Sequence, residues 1–168
     1  MTHTLVALVA DHPGVLTRVA SLFRRRGFNI ASLAVGHSEE PGYSRMTIAV
    51  DGNDAQMQQC AKQLYKLIDV VEIENLTAAP RVDRELALVR VKTAADQRPA
   101  VADIAEIFHG EVVDVGRGAM IVQLAGDSAT IDRFLEVVAE YGILEISRTG
   151  AIAMARENGT SHRGKTIG

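Results

Sequence analysis

Leu5-Val6-Ala7-Leu8-Val9-Ala10-Asp11-His12-Pro13-Gly14-Val15-Leu16, continued to Arg26-Gly27-Phe28-Asn29-Ile30, is the stretch whose reading decides the fold. It reads as a strand (Leu5 to Ala10), a tight loop (Asp11 to Gly14), a helix (Val15 to Arg26) and the start of a second strand at Asn29. Proline at a helix entry gives up no needed N–H and presets φ. Glycine beside it lets the backbone approach a ligand without a Cβ in the way. The first free N–H groups of the helix carry partial positive charge, which suits a carboxylate. Asp11 beside them can accept a hydrogen bond or meet a cation. A small zwitterion needs that pairing. The same residues also fit an ordinary strand-to-helix turn with an Asp cap.

Working outward, Val15, Leu16, Val19, Leu22 and Phe23 form one apolar stripe at helical spacing. Arg24-Arg25-Arg26 sits in the last turn, where cations suit the dipole, and Gly27 comes next as the C-terminal cap. From Asn29 to His37 the chain returns to strand character, with Ala31, Leu33 and Val35 expected on one face. Glu39-Glu40-Pro41-Gly42 is a turn. Tyr43 to Val50 is the partner strand, with Ser44, Met46, Ile48 and Val50 on one face. Asp51-Gly52-Asn53-Asp54 ends it and caps a helix carrying Met57, Cys60, Ala61, Leu64, Leu67 and Ile68 on one side. Asp69 to Leu76 is a final strand. The order β-α-β-β-α-β is the split βαβ, or ferredoxin-like, pattern.

The order then repeats. Leu86 to Lys92 is a strand. Pro99 opens a helix with Val101, Ile104, Ala105 and Phe108 inward. Glu111–Val115 and Met120–Leu124 are strands joined through Gly116-Arg117-Gly118. Asp127-Ser128 caps a helix, and Ile143 to Met154 is one last strand bent at Gly150. The expected fold class is α+β, two tandem ferredoxin-like units: residues 1–77, a linker at 78–80, and residues 81–157. Residues 158–168 are Gly-rich and polar and read as a disordered tail. Each unit has a sheet with helices on one face only, so the other face and the edges need cover. Edge-to-edge pairing with a second copy meets that need, and a homodimer is expected.

The chain has 168 residues, 47% hydrophobic and 4% aromatic, with net charge -3. That balance argues against a broad nucleic-acid surface. A single cysteine excludes an internal disulfide, and Cys60 on the apolar side of a helix reads as core. No apolar run reaches membrane-spanning length and no basic leader precedes Leu5, so a soluble, cytoplasmic protein without membrane contact is expected. There is no phosphate-binding loop, dinucleotide fingerprint or nucleophile motif. His3, His12, His37, His109 and His162 show no metal-ligand spacing with one another or with Cys60. His37 near Glu39 and Glu40 fits an acid–base cluster or, more simply, a solvated turn. A ligand at the loop would meet Asn29 and Ile30 of a second copy, with Asn29 supplying amide groups and Ile30 an apolar wall. Binding would then be coupled to how two chains sit together.

Three longer stretches carry a resemblance. Arg25-Arg26-Gly27-Phe28-Asn29-Ile30-Ala31-Ser32-Leu33, Ser44-Arg45-Met46-Thr47-Ile48 and Lys62-Gln63-Leu64-Tyr65-Lys66-Leu67-Ile68-Asp69-Val70 resemble the regulatory small subunit of acetohydroxyacid (acetolactate) synthase. Asp11 to Leu16 is similar to the effector loop of ACT domains. The second half agrees at Arg84–Val89, Ile107–Gly110, Val113–Val115, Gln123–Gly126 and Ser147–Gly150. The resemblance implies an N-terminal ACT domain, a C-terminal ACT-like domain and no active site. It implies a separate catalytic large subunit that uses thiamine diphosphate, Mg²⁺ and FAD, with no cofactor and no metal on this chain. It implies activation of that subunit and feedback inhibition by valine or a related branched-chain amino acid. Carried over, the effector site falls on Asp11, His12, Pro13, Gly14, Val15 and Leu16 of one chain and Asn29 and Ile30 of the other. Many family members have Asn where this chain has Asp11, and a small residue where it has Pro13. Aspartate attracts an ammonium and repels a carboxylate, so the effector's identity stays open. A free-standing amino-acid sensor without a large partner is the alternative, and a small enzyme on this scaffold would need an acid–base group that is not apparent.

Overall fold

A computed structural model describes residues 2–157. The expected tail from Asn158 lies outside the described residues. The chain divides into two compact units, Met1–Val82 with the segment from Ile152 onward, and Asp83–Ala151.

In the first unit, β1 (Thr2–Ala10), β2 (Asn29–His37), β3 (Tyr43–Asp51) and β4 (Val70–Asn75) form an antiparallel sheet in the order β2-β3-β1-β4. Helices α1 (Val15–Arg26) and α2 (Asp54–Leu64) cover one face. Alternation sends Leu5, Ala7 and Val9 of β1 and Met46, Ile48 and Val50 of β3 toward the helices, where they meet Val19, Phe23, Met57 and Cys60. Gly27 ends α1 in the left-handed conformation at φ 69, as its sequence position requires. Asn53 caps α2 with a full capping box to Gln56.

Two details depart from the periodic reading. The β2–β3 register shifts between Ile30 and Ser32. One bulged residue there reverses the facing of its neighbours, so Ile30 takes the core-facing place expected of Ala31, alongside Leu33. Helix α2 stops at Leu64, and Ile68 then lies in a turn at 95% exposure instead of on a buried stripe.

In the second sheet, β5 (Arg81–Lys92), whose first two residues belong to the first unit, β6 (Glu111–Val115), β7 (Ala119–Gly126) and β8 (Ile143–Arg148) pair in the order β6-β7-β5-β8. Helices α3 (Arg98–Ile107) and α4 (Ser128–Val138) pack on Val89, Val91, Val122 and Leu124. Asp127 caps α4 by accepting from the Thr130 N–H at 2.7 Å. The last expected strand is two. After β8 the chain turns at Gly150, φ 77, into β9 (Ile152–Ala155). The Arg156 N–H donates to Pro80 O at 2.9 Å. Ala153 and Ala155 pack with Val6, Leu76 and Ala79 in a small apolar cluster of the first unit. After the turn at Gly150, β9 groups with the first unit and pairs with β5, the strand within which the division at Val82 falls.

Candidate binding site

Three connections meet at the Ala10 end of the first sheet. The Ala10 N–H donates to Asp69 O and the Asp11 N–H to Gly42 O, each at 2.8 Å. The loop of residues 11–14 is thereby fixed between the β2–β3 turn and the α2–β4 turn. Two side-chain pairs reinforce it. His37 Nδ1 lies 3.0 Å from Asp11 Oδ2, and His12 Nε2 lies 2.9 Å from Asp69 Oδ1. Both are close histidine–carboxylate contacts in which the carboxylate can only accept. Asp11 is therefore not the helix cap, and His37 answers it rather than Glu39, which pairs with Arg45.

The cap position of α1 is Gly14 at φ 93, with no side-chain cap. A left-handed residue there favours glycine. The Arg18 N–H reaches Gly14 O at 3.0 Å, and the Val15 N–H reaches His12 O only at 3.5 Å. The Leu16 and Thr17 N–H groups find no acceptor among the described residues. The helix start therefore presents open donors at its positive end. Arg18 lies one turn further on. Its guanidinium stands over the loop, since a Cβ on Gly14 would sit 3.3 Å from Arg18 Nη1.

Asp69 organises this end. Its side chain is 5% exposed, and Oδ2 accepts from Arg18 Nε at 2.5 Å. The Arg18 hydrogen bond holds the Asp69 carboxyl below its ordinary value, helped by the charges of Arg18 and His12 and opposed by desolvation. Of the residues expected from sequence, Asp11, His12, Pro13, Gly14, Val15 and Leu16 are together here. Val15 is buried in the core, so it offers only backbone, whereas the Leu16 side chain is half exposed.

Asn29 and Ile30 are elsewhere. Asn29 pairs in register with Asp51, and its Nδ2 donates to Asp51 Oδ2 at 3.1 Å. Asp51 also accepts from Thr2 Oγ1 at 2.7 Å. Thr2 begins β1 and Ala10 ends it. At about 3.3 Å per residue the two ends stand roughly 26 Å apart. Within one chain the loop and Asn29 cannot touch one small ligand. Ile30 is partly buried against the unit's own core.

Arg18, Asp69 and His37 were not expected. Arg18 is legible in hindsight, four residues past Gly14 on the same helical face. Asp69 is 51 residues from Arg18, and nothing local announces their pairing. Among the described residues no group of three or more His, Cys, Asp and Glu side chains could hold a metal ion. Burial pushes the Cys60 thiol up to about 12, which leaves it inert. No helix of the described residues is long and apolar enough to cross a membrane.

Residues 5–72 match the ACT domain of the acetohydroxyacid synthase small-subunit-like family, and residues 84–157 match the family of the small subunit of acetolactate synthase. The chain belongs to the acetolactate synthase small-subunit family. It is 48% identical over 160 residues to a probable acetolactate synthase small subunit of Methanothermobacter thermautotrophicus, covering 95% of each chain. It is 45% identical over 158 residues to a probable small subunit of Archaeoglobus fulgidus, covering 94% of this chain and 99% of that one. A crystal structure of the acetolactate synthase small subunit from Thermotoga maritima superposes with TM-score 0.85 at 40% identity, over 94% of this chain and 99% of that one. As a small subunit, the chain is the regulatory and not the catalytic part of that enzyme, which implies a catalytic large subunit as its partner.

Proposed function

We propose that this small subunit raises the activity of the catalytic large subunit and makes it sensitive to feedback inhibition by valine or a related branched-chain amino acid. The observation that carries the reading is the helix start of an ACT domain left open to a carboxylate: Gly14 without a side-chain cap, unpaired N–H groups at Leu16 and Thr17, and the Arg18 guanidinium above them. The site is shared between two copies of the chain. One contributes Asp11 to Leu16 and the other Asn29 and Ile30, since β1 keeps the two halves apart within a single chain. An effector bridging two copies stabilises one arrangement of the pair over another, and that difference is what reaches a distant active site. The partner holds thiamine diphosphate, Mg²⁺ and FAD.

The test is acetolactate formation by the large subunit from the same source, with and without this chain, and with and without millimolar valine. The expected result is a higher rate with the chain and loss of that gain with valine. A rate that rises but ignores valine, leucine and isoleucine removes the effector half of the reading. A rate that the chain does not change removes the whole of it.

A further inference from the structure

Both oxygens of the Asp69 carboxylate are spent on the β1–α1 segment, Oδ1 on His12 and Oδ2 on Arg18. A withdrawn carboxylate that holds a half-exposed imidazole of the loop and a half-exposed guanidinium of α1 is an expensive arrangement unless their positions matter. His12 is half exposed and turns its other ring nitrogen, Nδ1, to Pro13 O at 3.2 Å. Arg18 is 45% exposed and gives Asp69 only its Nε. Among the described residues the N–H groups on Nη1 and Nη2 have no acceptor. That edge is the one over Gly14. A guanidinium held by one edge offers a planar pair of donors at the other, which matches a carboxylate. The open N–H groups of Leu16 and Thr17 belong to the same helix start.

We propose that Asp69 is a positioning residue for effector binding: by holding His12 and the Nε side of Arg18, it sets the Nη1 and Nη2 groups of Arg18 over Gly14 to take the carboxylate of an amino-acid effector. The proposal rests on the effector role proposed for this loop and assigns its anion contact. It also gives Asp11 a place. With the carboxylate on Arg18, the aspartate at the start of the loop is left for the ammonium.

The experiment is calorimetric titration of the full-length chain with L-valine and with L-valinamide, which keeps the side chain and the ammonium but lacks the carboxylate charge. The unsubstituted chain is expected to prefer valine. Arg18→Met should weaken valine roughly 10- to 100-fold and leave valinamide nearly unchanged, so the preference collapses. Asp69→Asn should lower the same preference with Arg18 still present, and should add little in the Arg18→Met background. Equal weakening of both ligands by Arg18→Met would mean a structural role and overturn the proposal. An undiminished preference for valine in Asp69→Asn would overturn the positioning role. If the unsubstituted chain binds neither ligand, the effector reading itself fails and takes this proposal with it, a result visible before any variant is made.

Discussion

Each unit holds one withdrawn carboxylate against an arginine, and the two are finished differently. Glu85 and Asp69 are both 5% exposed. In the second unit Arg148 gives Nε and Nη2 to the two oxygens of Glu85, at 2.7 and 2.9 Å, and Nη1 to Asp132 at 2.6 Å. Ser128 Oγ adds a bond to Glu85 at 2.9 Å. Every nitrogen of that guanidinium is engaged, and it pins β8 to β5 and α4. In the first unit Arg18 spends one nitrogen and turns the rest outward. A carboxylate–arginine pair makes a clamp in one place and an open hand in the other. The sheets differ in the same sense. The face of the first sheet away from its helices buries Val6 and Leu8, while Leu86 and Leu88 on the corresponding face of the second stand open.

The largest test of that contrast lies in β9. Ala153 is buried against Val6 and Leu76, while its neighbour Ile152 is exposed. Ala153→Asp buries an unpaired carboxylate and should cost the first unit about 3–5 kcal/mol. Hydrogen exchange should show β1 and β3 losing protection while β7, which does not pair with β9, keeps its own. Ile152→Asp should be nearly silent. If the two substitutions behave alike, β9 is not what covers the first sheet.

Two leucines give the same contrast on a smaller scale. Leu8 is 7% exposed and Leu88 42%, each on the face of its central strand away from the helices. Leu8→Ala should cost about 3 kcal/mol and Leu88→Ala about 1 kcal/mol in the isolated chain. Unit-resolved hydrogen exchange or urea unfolding reads both. Equal losses would show that the second face is covered in solution.

Much of this contrast was not legible in the sequence. The two βαββαβ patterns were, because period 2 and period 3.6 are written locally in residues such as Leu5 to Val9 and Val15 to Phe23. So were the caps at Gly27, Asn53 and Asp127. The allegiance of β9 was not: Ile152 to Ala155 continues the apolar run of β8, and only the turn at Gly150 sends it elsewhere. The face of Ala31 was lost to a single bulged residue. The loop was readable from Pro13 and Gly14. Its supports were not, since Asp69 and His37 reach it through tertiary contacts that leave no trace at their own positions.

Gly14→Asp attacks the open hand directly. The residue is at φ 93, where a side chain costs about 1 kcal/mol, and the new carboxylate would stand beside Arg18 Nη1. It would occupy the donors assigned to the effector. The valine concentration for half-inhibition of the reconstituted enzyme should rise at least about tenfold. Gly14→Ala carries the backbone strain without the charge and should shift it much less. If both shift it equally, backbone geometry and not Arg18 sets the response.

The last test bears on the closed clamp, and its pH dependence has a definite sign. The Arg148 hydrogen bonds hold the Glu85 carboxyl below its ordinary value of 4.5, with the Ser128 hydroxyl helping and burial opposing. A carboxyl depressed in the folded state contributes its full stabilisation above its unfolded value and loses it as pH falls through the folded one. At neutral pH, Glu85→Gln removes that contribution. Arg148 is partly exposed and keeps Asp132, so the loss should be only about 1–2 kcal/mol. In acid the unsubstituted chain protonates Glu85 and the two proteins should converge. Urea midpoints at pH 7 and at the lower end of the carboxylate range decide it. A gap that persists unchanged in acid would assign the effect of Glu85→Gln to packing. A gap that closes would assign it to the charge, and would set this closed pair against the Asp69–Arg18 pair, whose removal should change ligand preference more than stability.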